Sequence, residues 1–480
     1  MNIAELIVFI LYLLAMIGIG LYFFFKSKGG NEKDYFLGGR QMGAWVSALS
    51  AGASDMSAWV LMGLPASIYA AGLGKSWIAI GLMIGYSLSW IFEAPRLRRF
   101  SIEANDSITI PQYLTNRFLS KSRALQIVCA VIFILAYTIY AASSIKACGT
   151  LFNTVLGMNP SVAMYLAAAI IISYTFLGGF SAVCWTDFFQ GMLMLAALLI
   201  APIFAWSLIQ SGSVEASTAF PDHFWSLASD WRDIISGLGW GLGYFGMPHI
   251  IIRFMSLKSE KDLRKSSVIG ISWTLIILVM SVVSGCVGRM FLGEIADSST
   301  VFIQLTRRIF PALVSGILLS AILAASMSTA DSQLLAASSA FASDVYKPVF
   351  RPKASDREML WAGRSVVICI AVIALIIASN PNSGTIMGLV ENAWGVFGAA
   401  FGPTIMLSLF WRDLTFAGAT SGIIVGASVD ILWLMFLGST GVYEIIPGFV
   451  MGLIAAVGFS KLSGKPAKEV QELFDRASRG

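Results

Sequence analysis

The stretch from Gln41 to Gly72 is long and apolar enough to cross a bilayer. Its middle, Ser50 to Ser57, is nevertheless small and polar and carries a carboxylate, Asp55. Gly, Ser and Asp are weak helix formers, because they spend backbone entropy or compete for backbone hydrogen bonds. Non-helical backbone at membrane depth persists only where protein or a watery cavity surrounds it. An ionisable residue at that depth points to a functional site. The stretch therefore reads as a discontinuous helix whose opened carbonyls and hydroxyls can hold a cation. A tightly packed small-residue helix around a protonated or paired Asp55 would fit the same residues taken alone.

The remainder of the chain supplies the membrane context. Of its 480 residues, 57% are apolar and 12% charged, against about 25% charged in soluble domains. The fold class is an all-α polytopic membrane protein. The cysteines (129, 148, 184, 286, 369) all lie in apolar segments without a C-x-x-C pair, so no disulfide framework or zinc site is expected. His223 and His249 have no metal-ligand spacing, and no transition metal is expected.

Ile3–Phe25 is too long for the core of a signal peptide and lacks a basic leader, so it reads as the first span. Further spans are expected at 42–72, 76–95, 124–151, 161–180, 185–209, 233–254, 267–290, 311–343, 364–380, 385–410, 415–436 and 443–460. That is about thirteen by bilayer-length reasoning. Most of the 32 lysines and arginines then fall on alternate loops, including Lys26 to Arg40, Arg96 to Arg123, Arg253 to Lys265 and the tail from Lys461. By the positive-inside rule these loops are cytoplasmic, with the N-terminus outside and the C-terminus inside. The net charge of +5 then needs no nucleic-acid partner. The lipid bilayer is the expected partner, and nothing points to an obligatory protein partner.

A second interrupted span, Ser236–His249, holds five glycines and Pro248. It follows the first by five spans, an odd number, so the two enter the membrane from opposite sides. Gly/Pro-interrupted helices at matching positions of inverted repeats, with a site at the midplane, are the pattern of secondary transporters. Trp59, Trp240, Tyr244 and Tyr140 would wall a cavity suited to a small zwitterion; Tyr137 reads as a packing or belt residue. In the ninth span, Ala325, Ser328 and Thr329 share one helical face. Their oxygens, set against opened carbonyls near Ala53 and Met56, make an all-oxygen, neutral set suited to a hard monovalent cation. Ser and Thr on a membrane helix also serve as packing groups.

These residues resemble the sodium:solute symporter family over essentially the whole chain. The pieces that carry the resemblance are Leu37–Arg40, Ala48–Trp59, Tyr174–Phe180, Trp185–Asp187, Gly239–His249, Leu318–Thr329 and Tyr443–Gly448. The run Trp240…Tyr244…Pro248-His249 points to the branch that carries proline.

The resemblance implies a LeuT-like 5+5 inverted-repeat core with one extra N-terminal and two extra C-terminal helices. Residues 1–40 would form the extra helix and loop, 41–210 and 230–411 the repeats, 412–462 the two extra helices, and 463–480 a cytoplasmic tail. It implies sodium (Na+) on Ala53, Met56, Ala325, Ser328 and Thr329, and L-proline against Ser57, Ala58, Trp59, Tyr140, Trp240, Tyr244 and Pro248. Asp55 would hold the broken helix, Asp187 would serve sodium exit, and Arg40 would sit at the inner gate. At Ala58 the chain departs from the family's Gly, which tightens the pocket by a methyl. The location implied is the bacterial inner membrane and the function sodium-coupled uptake by alternating access, with no organic cofactor.

Another amino acid, pantothenate or a sugar is the alternative cargo; sugar carriers need amide and carboxylate side chains that Trp240 to Pro248 lack. A membrane sensor would need a signalling domain, and the tail is too short to hold one. A channel would need a continuous pore. An enzyme is not expected, since the chain has no His-rich cluster, G-x-S-x-G or phosphate loop. Lys146, Glu93, Glu391 and Asp430 lie at or within spans, where buried pairing or snorkelling accounts for them. Asp331 reads as a structural partner within the ninth helix.

Overall fold

The computed structural model describes residues 2–26, 32–177 and 179–479, leaving aside the side chains at 24, 26, 32 and 174–177. Lys28 of the first basic loop and Gly178 of the Tyr174–Phe180 run lie outside the described residues.

The described chain is helical, with one isolated backbone bridge between Met42 and Leu257. The helices that build the membrane domain are α1 (Ile3–Lys26), α2 (Ala44–Asp55), α3 (Gly63–Ala71), α4 (Trp77–Leu88), α5 (Ala124–Leu156), α6 (Pro160–Leu177), α7 (Phe180–Gln210) and α8 (Trp231–Gly239). They continue with α9 (Pro248–Ser256), α10 (Glu260–Leu292), α11 (Ala312–Ser339), α12 (Asp356–Ser379), α13 (Ile386–Phe410), α14 (Phe416–Leu437) and α15 (Ile445–Leu462).

Among the described residues, ten helical segments are individually long and apolar enough to cross a membrane. The other three expected spans, 42–72, 161–180 and 233–254, fall on short or interrupted helices. The first is split into α2 and α3, the last into α8, a 3-10 turn over Trp240–Phe245, and α9. The middle one is α6, whose 18 residues sit at the lower limit for a span of about 17–25 residues. Two backbone breaks and one short helix, rather than missing hydrophobicity, separate the expected thirteen spans from the ten long helices.

The broken elements are wrapped by long ones. α2 lies against α7, α9, α10 and α11, while α13 covers the 3-10 turn of the second break. Small residues set these approaches, as expected where helices associate by close packing. α4 meets the second break so closely that a Cβ at Gly81 would overlap Gly237 O, and one at Gly85 would overlap Gly241 O. Gly38, Gly39 and Arg40 take φ of 62°, 61° and 55°, a left-handed turn that leads the chain from α1 into α2.

A tail helix spans Lys468–Ser478, where the charged tail of the sequence reads as a short helix over 467–477. It packs on the short helix Ala94–Glu103. Phe474 meets Phe100 at 5.3 Å, Arg412 makes a two-pronged bond to Asp475 at 2.8 Å, and Arg117 Nη1 donates to Val470 O at 3.2 Å. Arg40, Arg117 and Arg253, basic residues expected in loops, are instead buried.

Adding a methyl at Gly85 tests the close packing. Overpacking costs about 1–3 kcal/mol, so Gly85→Ala should lower the melting temperature of the purified protein. Gly458→Ala, with nothing within 4 Å of its Cβ, should leave it unchanged.

Candidate functional site

α2 ends at Asp55, and the chain leaves the helix at Met56 (φ −76°, ψ 72°) and Ser57 (φ −67°, ψ −170°). The carbonyls at a helix end lack intrahelical partners, and inside a membrane they must be paired. Here aromatic side chains do this. Trp59 Nε1 donates to Asp55 O at 3.2 Å, and Tyr140 Oη donates to the same oxygen at 3.4 Å. Tyr244 Oη, from the second break, donates to the Asp55 carboxylate at 2.5 Å. The two breaks, distant in sequence, thus meet at Asp55. Ser57 Oγ accepts from Trp59 N at 3.5 Å and begins the 3-10 turn that includes Ala58.

The second break is held in the same manner. Trp394 Nε1 donates to Trp240 O at 2.8 Å. The rings of Tyr244 and Trp394 lie 5.1 Å apart, and Trp240 stacks on Tyr443 at 5.2 Å. Pro248 occupies the first turn of α9, where its missing N–H costs nothing. His249 N donates to Tyr137 Oη at 3.0 Å. Tyr137 is therefore no belt residue; it satisfies an orphan donor at the start of α9 and is fully buried. Ser57, Ala58, Trp59, Tyr140, Trp240, Tyr244 and Pro248 are all buried around this junction.

α11 faces the end of α2. Ser328 Oγ lies 2.8 Å from Ala53 O and 3.2 Å from Ala325 O, so one hydroxyl spans the gap between the broken helix and α11. Thr329 Oγ1 is buried with no hydrogen-bond partner among the described residues. Met56 is buried beside them, and its ψ turns its carbonyl out of the helical direction. Carbonyls of Ala53 and Ala325 and hydroxyls of Ser328 and Thr329 form a neutral oxygen set of the kind a hard monovalent cation takes.

One turn along α11 lies an ion pair that sequence reasoning missed. Arg253, expected in a cytoplasmic loop, is 1% exposed. Its Nη2 lies 3.2 Å from Asp187 Oδ2 on α7 and 2.6 Å from Ser332 Oγ on α11. Its Nε donates to Ser50 Oγ on α2 at 3.1 Å, and Nη1 bonds His249 O on its own helix. Ser50 Oγ in turn donates to Asp187 at 2.6 Å. Four helices are tied through one guanidinium. Asp331, expected as a structural group, is buried 3.4 Å from Ser332 Oγ. An arginine within two turns of a span's Pro-Gly break was the available signal.

Arg40 is also buried. Its guanidinium reaches Met255 O at 2.6 Å, Ser107 O at 2.8 Å and Asp106 Oδ1 at 2.9 Å. Arg98 holds Leu257 O at 2.9 Å and Lys258 O at 3.0 Å. Together they fasten the C-terminal end of α9 to the loops at that end of the bundle. Partial burial works against the Asp106 charge, but Lys33 and Arg40 outweigh it and hold the carboxyl below its ordinary range.

Of the charges without a predicted role, Glu93 accepts from Ser89 at 2.7 Å inside a wide turn of the third span. Lys146 Nζ bonds Gly384 O and Ser383 Oγ.

Breaking one partner of a buried ion pair costs about 3–5 kcal/mol, and replacing both with apolar or neutral groups is far less harmful. Arg253→Ala should therefore lower thermal stability sharply. Asp187→Asn combined with Arg253→Met should recover much of the loss in the same melting assay; a double variant as unstable as Arg253→Ala would contradict the pairing.

The profile of the sodium:solute symporter family matches residues 35–426. The chain is 43% identical to the osmoregulated proline transporter OpuE of Bacillus subtilis, over 99% of this chain and 98% of that protein. It is 41% identical to the sodium/proline symporter of Escherichia coli, over 98% of this chain and 96% of that one. Among solved structures, a Na+-coupled sialic acid symporter superposes with a TM-score of 0.80 at 20% identity, covering 97% of this chain and 99% of that chain. The nucleobase-cation-symport-1 transporter Mhp1 superposes at 0.57 with 15% identity, covering 92% and 97%. These last two are likenesses of fold, the LeuT-like transporter architecture. With its two breaks joined at Asp55 and a hydroxyl bridge from α11, the chain belongs to the sodium:solute symporter family.

Proposed function

We propose that the protein is a secondary transporter that couples inward movement of Na+ to uptake of L-proline across the bacterial cytoplasmic membrane. It is a carrier rather than an enzyme, with no organic cofactor. The observation that carries the reading is the Ser328 hydroxyl spanning Ala53 O and Ala325 O, beside the unpartnered Thr329 hydroxyl. Sodium takes Ala53, Met56, Ala325, Ser328 and Thr329 as ligands, and so ties α2 to α11.

Proline lies against Ser57, Ala58, Trp59, Tyr140, Trp240, Tyr244 and Pro248. Its carboxylate needs unpaired donors. The first N–H groups of α9 are engaged, His249 by Tyr137 and Ile250 and Ile251 by Met247 O. α3 starts at Gly63, just past the first break, so its positive end and first-turn N–H groups are the better partner. The aromatic rings supply the apolar wall. Asp55 holds the break through Tyr244.

Ordering the break by sodium also orders Ser57 and Trp59, so the two ligands bind cooperatively and the coupling is reciprocal. Residues 41–210 and 230–411 act as the inverted repeats, with 1–40 before them, the pair of helices over 412–462 after them, and the tail 463–480 inside. The N-terminus is outside. Sodium leaves along the face of α11 that carries Ser328 and Ser332, past Asp187, and the Arg40 clamp must open. A membrane potential of 100 mV contributes about 2.3 kcal/mol per charge and a tenfold sodium gradient about 1.4 kcal/mol. One sodium thus sustains roughly a 500-fold proline gradient.

Radiolabelled proline uptake into proteoliposomes tests the reading. Uptake should require an inward sodium gradient, fail with potassium, and fall about tenfold or more in Thr329→Ala, a loss of ~1.4 kcal/mol or more in binding. Equal uptake in potassium would remove the sodium assignment. Sodium-stabilised protein that takes up no proline would remove the cargo.

A further inference from the structure

On the outer side, a cavity of about 390 Å³ runs between the second break and the two C-terminal helices, with Trp240, Glu391, Tyr443 and Glu444 in its wall. Behind it, Asp430 of α14 is fully buried, and neither of its carboxylate oxygens has a hydrogen-bond partner among the described residues. Glu444, at the start of α15, is 6% exposed and its Oε1 is likewise unpartnered.

The two face one notch. A Cβ on Gly395 of α13 would sit 2.9 Å from Asp430 Oδ1 and 3.3 Å from Glu444 Cγ. Two carboxylates without a donor between them are costly to bury. Like charges this close cannot both stand uncompensated. The elements packed around the pair offer little compensation. α13 adds a further carboxylate, Glu391, which interacts electrostatically with Glu444. Tyr443 spends its hydroxyl on Glu391 O at 2.8 Å, and Trp433 Nε1 donates to Val442 O at 3.1 Å. At the rim, Lys75 is engaged with Asp233 at 3.0 Å, and Arg232 lies against Gly441 with its guanidinium over Trp231.

We propose that Asp430 and Glu444 form a cation site separate from the oxygen set around Thr329, and that it takes one monovalent cation, sodium or a proton, from the outer cavity. Two carboxyl side chains fall well short of the ~6–8 oxygen ligands that a calcium ion takes, which favours a single charge over a divalent ion. The site lies on helices outside the two repeats. It reaches the junction through Tyr443, which immediately precedes Glu444 and packs against Trp240 with ring centroids 5.2 Å apart, so its occupancy biases that wall.

Thermal melting of the full-length protein in detergent, with sodium or choline as the only added cation and in acidic and alkaline buffer, reads the site without relying on proline. In Thr329→Ala, which disables the other oxygen set, a cation-dependent rise in melting temperature should remain. Asp430→Asn and Glu444→Gln should each abolish it. A remaining rise with sodium in alkaline buffer identifies sodium as the ligand; a remaining rise on acidification alone identifies the proton. If both variants respond to sodium and to pH as their parent does, the proposal is overturned. The neutral Glu444→Gln keeps the test decisive should Asp430→Asn fail to fold.

Discussion

The bond from the Tyr244 hydroxyl to the Asp55 carboxylate joins two membrane-spanning segments at the places where each breaks its helix. Each break exposes backbone groups that lipid cannot satisfy. Neither could persist alone. Placed against each other, they exchange partners: a phenol from one caps the other's acid, and tryptophan and tyrosine donors take the orphan carbonyl of Asp55. The interior that results is polar in its backbone and aromatic in its walls, which is what a small zwitterion and a bare cation need together.

The packing around this junction is bimodal. Where backbones approach, as between α4 and the second break, side chains are reduced to hydrogen at Gly81 and Gly85. Where helices stand further apart, charge does the joining, as at Arg253 and Asp187. The first arrangement tolerates no added volume and makes a rigid seam. The second holds four helices by one group whose loss leaves an uncompensated charge, which suits a joint that must have two well-defined arrangements.

Much of this was legible in the sequence. The interrupted spans, the register of Ala325, Ser328 and Thr329, and the tail helix all followed from local composition and periodicity, which act over a few residues. What escaped depended on contacts between distant segments. Arg253 sits near the end of a span and reads as a loop residue by the positive-inside pattern; only the position of Asp187 on another helix shows it to be internal. For Tyr137 the sequence left packing and belt roles open; its burial and the bond from His249 N, on a distant segment, make it an internal packing residue. Composition located both breaks but not the residues at which the backbone turns, because hydropathy does not record them.

The helix Lys468–Ser478 rests on Ala94–Glu103, which in turn carries Ser101, a partner of Arg40, and, through Arg98, holds the end of α9. Translation and membrane insertion proceed from the N-terminus, so this brace leaves the ribosome after every span has emerged. Until then the loops at this end of the bundle lack Phe474 and the Arg117 anchor on Val470, and that end stands unfastened. Closure of this end of the bundle is therefore a late event in biogenesis, completed by the tail helix, however early the Arg40 turn is made.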